Sequence, residues 1–116
     1  MRRTLKEERI TVYRERNRNI RAMGFRSYVD YLNSDLWKSI RAQVLAASQD
    51  CRVCGRPAIQ VHHVKYRKKD LEGRDLSFLW SVCAGCHRTA EFRRDGEKLT
   101  PKQATLKMVQ MRRKKR

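Results

Sequence analysis

The spacing of apolar and polar positions divides the chain into a helical front part and a more broken middle part. Residues 4–22 are dense in charge and hold few helix breakers, so they predict a basic helix that ends at Gly24. Asn33 and Ser34 are favoured N-cap residue types, and the spacing after them predicts an amphipathic helix over 35–47. The apolar patch within 25–32 is expected to pack against this helix. The apolar residues that recur at intervals of three and four are Leu36, Trp37, Ile40, Val44 and Leu45.

From residue 49 onward the apolar segments become short and are separated by Cys, Gly, Pro and His. This pattern is typical of strands and tight turns and not of a long helix. Residues 58–64 predict a strand, and the charged residues 65–75 predict a solvated loop. The mostly apolar residues 76–82 are expected to be buried.

Two more helices are predicted towards the C-terminal part of the chain. The first starts near Cys86 and carries Glu91. The second is predicted to begin at Thr100 and Pro101, because this residue pair favours the cap and the first turn of a helix. Residues 112–116 are all basic, and we expect them to be disordered without a partner.

The charge balance narrows the choice of partner. The 116 residues include 29 Lys or Arg and 12 Asp or Glu, which gives a formal net charge of +17. Such an excess favours a polyanion, with nucleic acid preferred over an anionic membrane surface. A chain of this length in which 40% of the residues are hydrophobic can bury one small core, so we expect a single compact domain.

The sequence also indicates in which cellular compartment the protein is expected. It has no run of about 18 apolar residues, and its first residues lack the apolar stretch of a signal sequence. We therefore expect an intracellular, cytoplasmic protein without membrane insertion. In a reducing compartment, four cysteines in a short chain favour metal ligands or reactive thiols over a disulfide framework.

The four cysteines form two C-x-x-C units, here called knuckles: Cys51 with Cys54, and Cys83 with Cys86. A two-residue spacer lets both thiolates of a pair reach one ion, and two pairs complete a tetrahedral site of the structural zinc type. A redox dithiol and a disulfide pair are the alternatives. Zinc binding contributes roughly 10 to 16 kcal/mol in zinc-finger peptides, so it would stabilise a small domain strongly.

All three histidines lie inside or beside the cysteine segment: His62, His63 and His87. Taken singly, each favours a structural role, either packed against a knuckle or replacing a cysteine as ligand. As a group they favour chemistry, because four cysteines already saturate a tetrahedral zinc. On a helix, His87 and Glu91 share one face, so with one imidazole of the histidine pair they could hold a divalent ion.

His62 and His63 are neighbours on the predicted strand, so their side chains should point to opposite sides and have different roles. One can ligate the ion while the other acts as base. A phosphodiester hydrolase needs both components, a metal ion that stabilises charge on the phosphate and an imidazole that deprotonates water.

Together these motifs resemble the HNH endonucleases, in the small variant whose ββα-metal finger is held by two C-x-x-C knuckles. The similarity covers about residues 28–92 and rests on YLNSDLWKSIR, CRVCG, VHHVKY and LWSVCAGCH. It implies an α+β fold, a zinc-stapled ββα-metal finger with flanking helices, and an enzyme that hydrolyses DNA, with RNA less favoured. By the resemblance, His62 ligates the catalytic Mg²⁺ or Mn²⁺, His63 is the general base and His87 is a second metal ligand.

The chain departs from the family pattern at two positions. Glu91 stands where the family commonly has a histidine, and its carboxylate would favour the hard ions Mg²⁺ and Mn²⁺. Phe78 stands where an Asn or Asp usually orients the base, and phenylalanine cannot accept an imidazole proton. Asp75 or a backbone carbonyl could supply the missing acceptor.

The implied organisation is a basic N-terminal helix or arm over 1–24, the nuclease domain over 25–95, and a C-terminal helix with a basic tail over 96–116. Basic side chains flanking the histidines predict phosphate contacts without base-specific reading. The alternative is a noncatalytic zinc-stabilised nucleic-acid-binding protein or ribonucleoprotein subunit, such as a ribosome-associated protein. The flanking basic residues are Lys65, Arg67, Lys68, Lys69, Arg88, Arg93 and Arg94.

Overall fold

A computed structural model describes residues 3–114. Their fold is α+β, with helices arranged around a small two-stranded sheet and a cluster of cysteines that could bind zinc. The elements in chain order are α1 (Leu5–Ala22), α2 (Tyr28–Leu32), α3 (Asp35–Ala47), β1 (Gln60–His63), α4 (Lys68–Leu71), β2 (Leu79–Val82), α5 (Ala84–Glu91) and α6 (Pro101–Lys114).

Each of the three front helices begins directly after a polar cap residue. The side chains of Thr4, Ser27 and Ser34 each accept a backbone hydrogen bond at the start of α1, α2 and α3. Gly24 follows α1 with a φ of 97°, a conformation that glycine adopts without steric cost. The predicted helices over 4–22 and 35–47 are thus confirmed.

The sheet is an antiparallel pair in which Gln60 lies opposite Val82, and His63 opposite Leu79. The predicted strand over 58–64 is confirmed but shorter, and the predicted buried run over 76–82 supplies β2. Strand β1 therefore carries both adjacent histidines, and their side chains are buried.

The prediction of a solvated loop over 65–75 is wrong in its middle, where the connection forms the short helix α4. Arg67 stabilises the start of α4, because its backbone N–H and guanidinium both donate to the Asp70 carboxylate. The Asp70 side chain is fully buried. A buried carboxylate needs such a paired cation. This pairing could not be predicted from the sequence, where residues 65–75 show only a mixture of charges.

Two apolar clusters lie side by side. The first joins the front helices to the sheet and α4, and the second lies under the knuckles, α5 and α6. The first cluster comprises Ile20, Tyr31, Trp37, Ile40, Val44, Val61, Leu71 and Leu79. The second comprises Cys51, Val53, Val82, Cys86, Ala90 and Met108.

The last two helices differ from the prediction at their ends. Helix α5 begins at Ala84, two residues before Cys86, because the Cys83 side chain caps it. Helix α6 begins at Pro101 as predicted but continues to Lys114. The expected disorder is therefore wrong for residues 112–114, and residues 115–116 lie outside the described part. Between residues 3 and 114, no helix is both long and apolar enough to cross a membrane.

Candidate functional site

The four cysteines converge where the two knuckles meet. Cys51 and Cys54 lie in a tight turn, closed by a 2.9 Å hydrogen bond from the Gly55 N–H to the Cys51 carbonyl. Gly55 has a φ of 79°, which a side chain would disfavour. Cys83 and Cys86 lie at the start of α5. The four Sγ atoms all lie within 4.8 Å of one another.

The spacing of the sulfurs matches a metal site. A tetrahedral zinc with Zn–S bonds of about 2.3 Å holds its sulfurs about 3.8 Å apart. The Sγ atoms of Cys54 and Cys83 are 3.7 Å apart, and all four cysteines are free thiols. The four residues could therefore hold a metal ion such as zinc.

The pKa values of Cys51 and Cys86 are shifted in opposite directions. Burial raises the pKa of Cys51, but backbone N–H groups of Cys54, Cys83 and Val53 outweigh it and lower the pKa to about 7. Burial raises the pKa of Cys86 to about 12, helped by hydrogen bonds that the Cys86 thiol donates to the sulfurs of Cys83 and Cys54 and by the charge of the neighbouring cysteines. A cation is thus needed before all four sulfurs can carry charge together.

A second site lies in a cleft of about 440 Å³ bounded by α1, α2, α3, β1, α5 and the start of α6. The cleft brings together all four residues of the predicted catalytic group. They are His62, His63, His87 and Glu91.

His63 is packed inside an aromatic surround. Its ring stacks on Trp37 with centroids 4.7 Å apart and lies 5.2 Å from the Tyr66 ring. Burial, and then the nearby Arg16 charge, lower the His63 pKa to about 3. Its Nε2 atom is buried and has no hydrogen-bond partner within residues 3–114. The imidazole is therefore neutral at pH 7 and is held by packing, without an orienting acceptor on that nitrogen.

His62 points to the opposite side of β1 and contacts α6. Its Nε2 lies 2.8 Å from the Thr105 Oγ1, and that hydroxyl donates its proton to the Pro101 carbonyl at 2.7 Å. The hydroxyl must then accept from His62, which fixes the Nε2–H tautomer and leaves the Nδ1 lone pair free. Burial lowers the pKa of His62 to about 3.

His87 and Glu91 form the predicted pair on one face of α5. The His87 Nε2 lies 3.1 Å from a Glu91 carboxylate oxygen, and its Nδ1 lies 2.8 Å from the Gln60 Oε1. Gln60 accepts the Nδ1 proton, so Nε2 and the carboxylate face each other as two acceptors. Such a contact needs a proton or a metal ion between the two atoms.

The cleft assembles part of a divalent site. Neighbouring ligands of an octahedral Mg²⁺ lie about 3.0 Å apart, which fits the 3.1 Å between His87 and Glu91. The ring of His62 is 5.4 Å from the ring of His87, between centroids. Within residues 3–114, only the cysteines form a group of three or more ligands with all donor atoms within 4.8 Å. His62 would have to move closer to complete the set.

Neither Phe78 nor Asp75 orients the predicted base. The Phe78 ring is covered by the charged ends of Lys65 and Arg67, which lie 4.6 and 4.7 Å from its centroid. Asp75 accepts from the backbone and hydroxyl of Ser77, and these bonds lower its pKa. The Asp75 carboxylate is thus committed within its own loop.

The predicted phosphate-binding residues lie outside the cleft, and some are paired with acids. Arg67 pairs with Asp70, and Lys69 lies 3.9 Å from Asp75. Arg93 likewise pairs with the carboxylate two residues later in its turn. The remaining members are exposed side chains: Lys65, Lys68, Arg88 and Arg94.

The cations that do line the cleft were missed from the sequence: Arg16, Arg41 and Lys98. Arg16 comes from α1, and its guanidinium lies 3.9 Å from the Tyr28 ring centroid and 4.6 Å from that of Tyr13. It forms no ion pair within residues 3–114. Nothing in the sequence apart from its positive charge indicated that Arg16 lies in the cleft, because 46 positions separate it from His62.

The chain matches no protein-family model, no curated protein and no solved structure. The resemblance to the HNH endonucleases therefore rests on the sequence motifs alone.

Proposed function

We propose that the protein is a metal-dependent endonuclease that hydrolyses DNA phosphodiester bonds in the histidine-lined cleft. The observation that carries this proposal is the meeting, in one cleft, of a neutral buried imidazole, a histidine–carboxylate pair and unneutralised cations. The components come from helices and a strand far apart in sequence. Within residues 3–114, Arg16, Arg41 and Lys98 form no ion pair with the carboxylate of the cleft, Glu91.

His63 acts as the general base in this proposal. Its imidazole accepts a proton from water, whose oxygen bonds to phosphorus while the bond to the leaving sugar oxygen breaks and that oxygen takes a proton from solvent. A pKa of about 3 makes the metal-free imidazole a weak base. A phosphodiester in the cleft adds negative charge beside the ring, and this charge raises the pKa towards neutrality.

Arg16 and Lys98 bind the phosphate from the cleft wall. The tyrosine rings around Arg16 hold its guanidinium in place, so its donors are oriented before the substrate arrives. His87 and Glu91, joined by His62, would hold Mg²⁺ or Mn²⁺. When bound, the ion supplies stabilisation of charge on the phosphate and on the leaving oxygen.

The four cysteines hold a structural zinc in this proposal. The Arg52 N–H donates to the Ser81 carbonyl at 2.9 Å, so the first knuckle already hydrogen-bonds to β2. A zinc ion across both knuckles would fix the start of α5 against the sheet, and with it the position of His87.

Cleavage of supercoiled plasmid tests the proposal. Purified protein is incubated with Mg²⁺ or Mn²⁺, and we expect nicked or linear products that a chelator abolishes. His63→Gln keeps a polar side chain of similar length in the aromatic surround, and we expect at least a 100-fold lower rate on the scale of general-base catalysis. Its DNA affinity and melting temperature should stay close to wild type. Equal cleavage by both proteins would exclude His63 as base.

A noncatalytic zinc-stabilised nucleic-acid-binding protein is the second candidate. It is favoured by the hydrogen bonds that already occupy nitrogens of His62 and His87, and by the lack of an orienting partner at the His63 Nε2. Tight DNA binding by zinc-loaded protein, with no cleavage at any tested Mg²⁺ or Mn²⁺ concentration, would select this function.

A further inference from the structure

A second basic surface lies beside the first knuckle, apart from the cleft. It is a groove of about 240 Å³ between the Arg52 turn, β2 and the end of α6. We call it the knuckle groove. Its lining residues are Arg52, Val53, Trp80, Met108, Val109, Arg112 and Arg113.

The knuckle groove carries positive charge that nothing nearby neutralises. Arg52, Arg112 and Arg113 are exposed, no acidic residue lines the groove, and none of the three forms an ion pair within residues 3–114. The Arg52 guanidinium lies 4.1 Å from the Trp80 ring centroid, which restricts its position. Three arginines gathered without a counter-charge are suited to an anionic ligand.

The groove adjoins the cleft through the sheet. Trp80 lies directly opposite His62 in the strand register, so the two side chains project from the same face. Their ring centroids are 6.5 Å apart. A polyanion lying in the groove would therefore continue towards His62.

We infer that the knuckle groove binds the sugar–phosphate backbone of the DNA that enters the cleft. That the bound DNA also enters the cleft rests on the proposed function, whereas the position and charge of the groove do not. We expect the arginines to contact phosphates, and such contacts position the DNA backbone without specifying its sequence. An anionic membrane would also attract this charge, but it explains neither the concave shape of the groove nor its position beside the cleft.

The first knuckle makes this surface depend on the cysteine cluster. Arg52 is one of the two spacer residues between Cys51 and Cys54, and Val53, the other, is buried in the second apolar cluster. The ion held by the cysteines would thus fix the turn that presents Arg52, so loss of that ion is expected to weaken DNA binding as well.

The salt dependence of DNA binding tests the inference. A triple variant with Arg52→Gln, Arg112→Gln and Arg113→Gln is compared with a control of equal charge change, Arg14→Gln, Arg18→Gln and Arg21→Gln on exposed positions of α1. Affinity for a labelled duplex is measured by fluorescence anisotropy at several salt concentrations. The groove variant should bind about tenfold more weakly or worse, with a salt slope smaller by about 2.7 if all three arginines contact phosphates.

The control variant should change both quantities much less. An equal loss in the two variants would overturn the inference, because it would show only the effect of net charge. Unchanged DNA binding in the groove variant, with a tenfold loss of binding to anionic vesicles, would overturn it in favour of a membrane. Arg52→Gln alone, at an unchanged melting temperature, should lower the slope by about 0.9, and no change would likewise count against the groove. These measurements need no cleavage, so a catalytically inactive protein leaves them valid.

Discussion

The cysteine cluster and the histidine cleft are assembled in different ways. The cluster uses two short segments, each of which sets its own sulfur spacing, and the four Sγ atoms meet within 4.8 Å. The cleft draws its residues from helices α1, α2, α3 and α5, from strand β1 and from the start of α6. Local spacing can therefore complete a metal site, whereas the cleft depends on how distant elements pack.

The two regions also differ in what surrounds them. The cysteines lie in a cluster with small and flexible apolar residues such as Ala90 and Met108. His63 lies instead beside large rings, Trp37 and Tyr66, within or against the larger apolar cluster. Removal of a ligand should thus affect folding most at the cysteines and chemistry most at the cleft.

The largest expected effect comes from the cysteines. We predict one tightly bound zinc per chain, and its loss in Cys83→Ser with Cys86→Ser, because two remaining thiolates cannot close the site. Structural zinc binding is worth roughly 10 to 16 kcal/mol in peptides, so the knuckle region should unfold. Elemental analysis and circular dichroism measure both effects. Full zinc occupancy in the double variant would refute the assignment.

The next effect is a loss of folding stability at acidic pH, which distinguishes the cleft from the cysteine cluster. Unfolding exposes His63 and restores its pKa to about 6.5, well above its folded value of about 3. The unfolded chain then binds more protons between these values, so stability is present above about pH 6.5 and is lost as the pH falls towards 3. The loss should approach about 1.4 kcal/mol per pH unit for this histidine.

Denaturant titrations of zinc-loaded protein from pH 7 to pH 4.5 measure this loss. Zinc release adds the same acid sensitivity to wild type and to His63→Gln, so the difference between their pH slopes reports His63. Parallel slopes for the two proteins would mean that the folded imidazole titrates normally.

The contrast between the two sites also explains how far the sequence could lead. The spacing of Cys51 and Cys54 was enough to predict them as candidate metal ligands, and the periodicity of apolar residues was enough to predict the helix over 35–47. Arg16 could not be placed in the cleft, because only the packing of α1 against Tyr28 brings it there. Helix α4 was missed for a similar reason, since its capping residue Arg67 depends on burial of a carboxylate.

A smaller effect is expected at Gln60, which the sequence did not single out. Its Oε1 accepts the Nδ1 proton of His87 and so keeps Nε2 free to face Glu91. Gln60→Leu should weaken Mn²⁺ binding about 10- to 100-fold, the usual range for a residue that orients a metal-binding histidine. Calorimetry on zinc-loaded protein without DNA measures it. Gln43→Leu, at an exposed position of α3, is the matched control and should bind Mn²⁺ normally.

The smallest effect is expected at Phe78, where the chain departs from the HNH pattern. Phe78→Asn would increase cleavage if the new amide could orient His63. The Phe78 ring instead lies under Lys65 and Arg67, outside both apolar clusters. We therefore predict no gain in rate and a loss of about 1 to 2 kcal/mol in the free energy of unfolding, from two partly exposed cation–π contacts.

Phe78→Leu is the control for that last variant, because it removes the same ring without adding an amide. Both variants should lose similar stability in denaturant titrations, since the lost contacts are the same. A rate increase in Phe78→Asn but not in Phe78→Leu would show that position 78 can reach the base after all. The missing acceptor for His63 would then be what limits the rate of cleavage in the cleft.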